Sequence, residues 1–191
     1  MNKREFLVAG ASVTAFSMLS SGCTTSGSGS GDPAAQRAAI DAEVDRALSQ
    51  LYTQAKGSKE LVSSARGVLV FPQVVSAGFI IGGTTGTGSL RKVGKTTRYY
   101  RLSGGSVGWL AGARSSSVFY LFMSDDALKQ FEASSGWTAG VNASVAAITV
   151  GADAQIDTRN VKQPVIGFVL TNAGLMANVS FDGTRITPMD I

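Results

Sequence analysis

The chain has 191 residues, 17 Lys and Arg against 13 Asp and Glu (formal net charge +4), 23 glycines, one cysteine and no histidine. The missing histidine excludes a Ser-His-Asp triad, a Cys-His pair and an HExxH zinc site, and the lone cysteine excludes an intramolecular disulfide. A Ser-Lys hydrolase survives this test, but only scattered serines such as Ser115, Ser116 and Ser117 speak for it; the expectation is no enzyme, no metal and no cofactor.

Residues 1–22 read as a secretory signal: Lys3 and Arg4 are a positive start, Phe6 to Leu19 an apolar run, and Ser20-Ser21-Gly22 small residues ahead of Cys23. The run is too short to span a membrane as a helix. Cys23 stands where cleavage would leave it first, an arrangement that resembles the lipobox of bacterial lipoproteins, although Ser20 replaces the usual aliphatic residue. The resemblance implies lipidation at Cys23 and an anchored envelope protein. Thr24 after the cysteine points to the outer membrane, facing the periplasm or the cell surface. Lys3-Arg4-Glu5-Phe6-Leu7 also resembles a twin-arginine signal with lysine in the first slot, so either export route is open. Residues 23–33, rich in Gly and Ser, form a tether, and residues 34–191 suit one domain.

Asp32-Pro33 opens a helix, with Asp as cap and Pro in the first turn. Ala35, Ala39, Ile40, Val44, Ala47, Leu48, Leu51, Tyr52 and Ala55 recur at three- and four-residue spacing up to Gly57. A short helix capped by Ser58 covers Lys59 to Ala65. From Gly67 the period shortens towards two, and runs of Val, Ile, Phe and Tyr between glycines predict strands. These fall near Gly67–Phe71, Ala77–Gly82, Ser89–Lys92, Thr97–Leu102, Val107–Ala113, Val118–Met123, Ala143–Thr149, Ala152–Asp157, Val165–Thr171, Leu175–Phe181 and Arg185–Thr187. One helix near 125–134 interrupts them, capped by Ser124, with Asp125 and Asp126 against its dipole and Gly136 to stop it. The expected fold is α+β: an N-terminal helical segment packed on a twisted, mainly antiparallel sheet or barrel-like sandwich, with one inserted helix.

Gly94-Lys95-Thr96 imitates the end of a phosphate-binding loop. The motif requires its first glycine at position 89, which is Ser89, and a helix afterwards; Thr97-Arg98-Tyr99-Tyr100-Arg101 reads as a strand. A hairpin fits better, and no nucleotide is expected. Between Glu60 and Asp125 stand Arg66, Arg91, Lys92, Lys95, Arg98, Arg101 and Arg114 and no acidic residue, while the rest of the chain from Cys23 on is net acidic. Such segregation points to an anionic partner. Nucleic acid is not expected for an exported, tethered protein, and phospholipid headgroups are the nearest anions. Arg91, Lys92, Lys95, Arg98 and Arg101 are therefore the expected headgroup-binding residues, with Tyr99 or Tyr100 at the membrane interface. Alternation along a strand sets Arg91 and Lys92 on opposite faces. The competing reading is a charged hairpin that only discourages edge pairing, in a structural envelope protein without a ligand.

The blocks Ala65-Arg-Gly-Val-Leu-Val-Phe-Pro72, Ala77-Gly-Phe-Ile-Ile-Gly-Gly83, Leu121-Phe-Met123, Ser135-Gly-Trp137, Asp157-Thr158, Gly167-Phe-Val169 and Gly174-Leu-Met-Ala177 resemble the SYLF lipid-binding domain family. The resemblance implies a general affinity for anionic lipid. Thr84-Thr85, where relatives carry an acidic and an aromatic residue, and Trp109-Leu110-Ala111 depart from the pattern. Asp41, Glu43 and Asp45 make the first helix a poor partner for anionic lipid.

Overall fold

The computed structural model describes residues 32–78, 81–107, 112–147, 163–172, 174–176 and 179–191. The expected signal, Cys23 and most of the tether, like the strand expected at Ala152–Asp157, lie outside the described residues.

The first helix, α1 (Pro33–Gln54), begins as its sequence requires: the Asp32 carboxylate accepts from the Ala34 amide at 3.0 Å, and Pro33 costs no hydrogen bond in the first turn. It buries Ile40, Val44, Ala47 and Leu51, one stripe of the expected period. Gly57, at φ +82°, turns the chain into α2 (Ser58–Ser64). Ser58 is not the cap of α2, as expected, but a buried tie to the preceding helix: its hydroxyl donates to the Leu51 carbonyl at 3.2 Å.

Among the described residues nine strands make one mainly antiparallel, curled sheet: β1 (Gly67–Gly78), β2 (Ile81–Lys92), β3 (Lys95–Val107), β4 (Gly112–Phe122), β5 (Trp137–Thr138), β6 (Ala146–Ala147), β7 (Val165–Thr171), β8 (Gly174–Leu175) and β9 (Arg185–Met189). Their order is β5-β9-β3-β2-β1-β4-β7-β6, with β8 on β7, and only β6 and β7 run parallel within it. The helix α3 (Asp125–Ala133) enters between β4 and β5, capped by the Ser124 hydroxyl, which accepts from the Ala127 amide. The α+β architecture is the expected one.

The strands differ from expectation in length. The first strand is expected near Gly67–Phe71, and a proline in a central strand normally ends it. Instead β1 continues past Pro72 through a bulge: its register shifts against β2 between Val70 and Gln73, and against β4 between Phe71 and Val74. The bulge leaves the missing N–H unneeded, and the Ser117 hydroxyl donates to the Pro72 carbonyl at 2.7 Å. β2 likewise extends well before the strand expected near Ser89–Lys92, and glycine is required there. A Cβ on Gly88 would lie 2.0 Å from the Val70 carbonyl oxygen and 2.8 Å from the Phe71 ring. The expected strands Ala77–Gly82 and Val107–Ala113 straddle the connections β1–β2 and β3–β4, and Phe181 follows β8 outside any strand.

Alternation sorts the sheet into two cores. Val68, Val70, Phe119, Leu121, Ile166, Phe168 and Leu170 face α1 and α2, with Phe119 stacked on Phe168 at 5.0 Å. Leu69, Phe71, Leu90, Tyr100, Leu102, Val118, Tyr120 and Phe122 face the other way, onto Phe131 of α3, Trp137 and Phe181. Both cores lie wholly within residues 31–191, which form one compact unit carrying what it needs to fold.

Candidate functional site

The five expected cations lie on the β2–β3 hairpin. Lys92 pairs with Lys95 across a two-residue turn, Val93-Gly94, whose φ angles are +48° and +76°. Positive φ at both turn positions matches the twist of the flanking strands. Glycine adopts it freely, whereas Val93, the one non-glycine with positive φ among the described residues, holds it at a cost of about 1–2 kcal/mol. Gly94-Lys95-Thr96 is thus a hairpin turn followed by a strand, as its spacing indicates, with no helix N-terminus to cradle a phosphate.

Register divides the cations between two faces. Arg91 lies opposite Val68 and so over α1, while Lys92 with Lys95, and Arg98 opposite Leu90, share the face of α3. Arg91 is largely consumed there: its side chain is 13% exposed, its Nη1 pairs with Asp45, and its Nη2 donates to the Asp41 carbonyl at 3.2 Å, 3.8 Å from the Asp41 carboxylate. That carboxylate also accepts from the Thr96 hydroxyl at 2.7 Å and the Tyr99 hydroxyl at 2.8 Å, so one acidic residue of α1 gathers three donors of the hairpin. Lys92 grips Glu132 of α3 in the same way, at 2.6 and 2.7 Å from its two oxygens.

Arg91 and Lys92 thus fasten the hairpin to α1 and α3. One expectation is corrected here: the tyrosines do not lie at a free interface, since Tyr99 is bonded to α1, and Tyr100 is buried in contact with Phe131 at 4.9 Å. Burial, reinforced by the bond to Asp41, raises the Tyr99 phenol pKa above its usual 10.0, against the opposing pull of Arg37 and Arg91. Burial likewise raises Tyr100, with Arg98 opposing and Glu132 adding.

Lys95, Arg98 and Arg101 are exposed, and none has a carboxylate within ion-pair distance among the described residues. Arg98 stands beside the Tyr100 phenol, and Arg101 borders a shallow recess of about 290 Å³ formed with Thr187, Pro188, Met189 and Asp190. Of the other cations in the acid-free segment, Arg66 pairs loosely with Asp125 at 3.7 Å; the side chain of Arg114 lies outside the described residues. Every ion pair just named joins this segment to an acidic residue outside it, so charge separated along the chain is partly neutralised in space.

A further recess of about 260 Å³, which sequence reading missed, lies between α1 and the β1 bulge, where Glu43, Arg46, Gln50, Gln73, Ser115 and Asn172 meet. The bulge opens it, and Pro72 was its only mark in the sequence. Among the described residues no cluster of acidic or other ligating side chains could hold a metal, and no helix is long and apolar enough to cross a membrane.

The model of the Ysc84 family, described as Las17-binding protein actin regulator, matches residues 103–190. Residues 103–190 are therefore similar to this family. The Ysc84, or SYLF, family is associated with lipid binding and actin regulation. The match begins within β3, so it takes in β4, α3 and the strands from β5 to β9, while β1, β2 and all five hairpin cations precede it. No curated protein matches the chain.

Proposed function

We propose that this Ysc84-like domain binds anionic phospholipid headgroups through the β2–β3 hairpin, in a protein held to a bacterial envelope membrane by lipid on Cys23. The observation that carries the reading is the trio Lys95, Arg98 and Arg101, exposed and without carboxylate partners among the described residues, on a hairpin whose other two cations fix it to α1 and α3. A rigidly held loop with free cations meets a charged surface without first being ordered, and each cation near an anionic membrane contributes about 1 kcal/mol. A layout resembling a lipobox supports the anchor, and Thr24 after the cysteine supports the outer membrane, facing the periplasm or the cell surface. Its chemistry is binding rather than catalysis.

The test uses residues 31–191, which lack Cys23 and so have no anchor. Binding to vesicles should require anionic lipid and weaken from low to physiological salt, as exposed charges are screened. Replacing Lys95, Arg98 and Arg101 together by Gln should weaken it by about one to two orders of magnitude. Equal binding by the triple variant would leave the competing reading, a structural envelope protein, which the engagement of Arg91 and Lys92 in internal pairs favours. For the anchor, the mature full-length protein should carry acyl mass on Cys23, and Cys23→Ser should release soluble protein or leave precursor; an unmodified mature cysteine would end that part.

A further inference from the structure

Val93 breaks two rules at once. Its φ of +48° puts a β-branched side chain in the left-handed region, and it is 100% exposed, the most exposed of the large hydrophobic residues described. Asparagine is the usual partner of glycine in such a turn, adopts the conformation readily and prefers water. Nothing in the fold accounts for valine. Gly94 beside it is equally free-standing, since a Cβ there would meet no atom within 4 Å. A strained residue that the fold does not need points towards function.

The surroundings say what would meet it. Lys92 and Lys95 flank the turn on one face, followed by Arg98, and no acidic side chain stands in the chain from residue 61 to 124. An apolar tip within a collar of cations complements the layered edge of an anionic bilayer, with hydrocarbon beneath phosphates. We propose that Val93 is a membrane-inserting tip: its side chain passes below the phosphate plane while Lys95 and Arg98 engage the phosphates. This rests on the proposed headgroup binding and adds to it a depth and an apolar contact. The Lys92–Glu132 and Arg91–Asp45 pairs hold the hairpin against α3 and α1, so the tip enters on a stiff support.

The sequence offers a direct probe. Because Cys23 is the only cysteine, residues 31–191 contain none, and Val93→Cys provides a single attachment point for an environment-sensitive fluorophore. Val141, 80% exposed in another turn, provides the control as Val141→Cys. With vesicles of phosphatidylcholine and phosphatidylglycerol, the label at 93 should shift to the blue and be quenched by spin-labelled acyl chains, while the label at 141 stays aqueous. Unlabelled Val93→Asn should raise the melting temperature by about 2–4 °C, from relief of the turn, yet weaken vesicle binding about three- to tenfold, from loss of apolar burial. A residue serving only the fold would not move the two readouts in opposite directions. Should the protein bind these vesicles while the label at 93 stays aqueous, or Val93→Asn bind as well as the parent, the tip assignment falls and headgroup binding stands. Absence of binding to anionic vesicles overturns both. Val93-dependent dimerisation in sedimentation without vesicles would make the tip a self-association contact and overturn the assignment as well.

Discussion

The two faces of the sheet fasten the same hairpin by different means. On the α1 side the core is mostly aliphatic, and the helix is located by polar bonds: Asp41 alone takes donors from Arg91, Thr96 and Tyr99. On the α3 side a nine-residue helix sits in an aromatic lattice, with Phe131 4.9 Å from Tyr100, 4.7 Å from Phe122 and 5.7 Å from Trp137, and the Lys92–Glu132 pair and the looser Arg66–Asp125 pair outside it. Rings have shapes that interlock in few ways, so packing alone sets the position of α3. Small and aliphatic side chains allow a long helix to slide, so hydrogen bonds to the hairpin set the position of α1. The ion pair on each face accordingly carries a different share of stability.

The largest effect should come from the aromatic face: Phe131→Ala is expected to destabilise residues 31–191 by about 3–5 kcal/mol in urea unfolding, as a cavity opens among three rings. A cost below 1 kcal/mol would show that α3 is not held by packing. Next, Asp41→Ala should cost about 1–3 kcal/mol by stranding the Thr96 and Tyr99 hydroxyls and removing the longer ion pair to Arg91, with faster amide exchange confined largely to α1. The smallest loss belongs to Glu132→Gln, under about 1 kcal/mol, because that pair is a third exposed and α3 keeps its ring contacts. If Glu132→Gln cost more than Asp41→Ala, the contrast between the faces would be reversed.

The tyrosines extend the comparison to pH. Tyr52, Tyr99, Tyr100 and Tyr120 all have pKa values raised above 10.0, with burial the leading cause in each. A raised value means the folded state holds its proton more tightly, so this stability is complete below about pH 10, where unfolded phenols begin to ionise, and falls as pH rises further. Absorbance titration should therefore show tyrosinate appearing late and together with loss of structure. Tyr120, enclosed by Phe71, Trp137 and Phe181, should be the last to ionise.

Local chemistry made much of this legible. Asp32-Pro33 and Ser124 start their helices because a cap acts within three residues, and the short apolar runs Val68 to Phe71 and Val118 to Phe122 read as strands, which the fold buries on both faces. The mismatch of Ser89 with the phosphate-loop spacing likewise sufficed to read Gly94-Lys95-Thr96 as a turn. Where the reading failed, the cause lay in another segment. The strand expected near Gly67–Phe71 stopped short because nothing nearby reveals the bulge that accommodates Pro72, and residues 83–88 fell outside the expected strands because the crowding that calls for glycine at 86 and 88 comes from β1.

Charge shows the division most clearly. By itself the sequence determined that seven cations stand together without an acid between Glu60 and Asp125, and that Arg91 and Lys92 must face opposite ways. Which of them remain free was decided by the tertiary structure, which brings Asp45 to Arg91 across 46 residues and Glu132 to Lys92 across 40. Coulombic pairing depends on distance in space and on burial, and neither follows from distance along the chain. Lys95, Arg98 and Arg101 stay available because the fold sets no carboxylate of the described residues within reach of them.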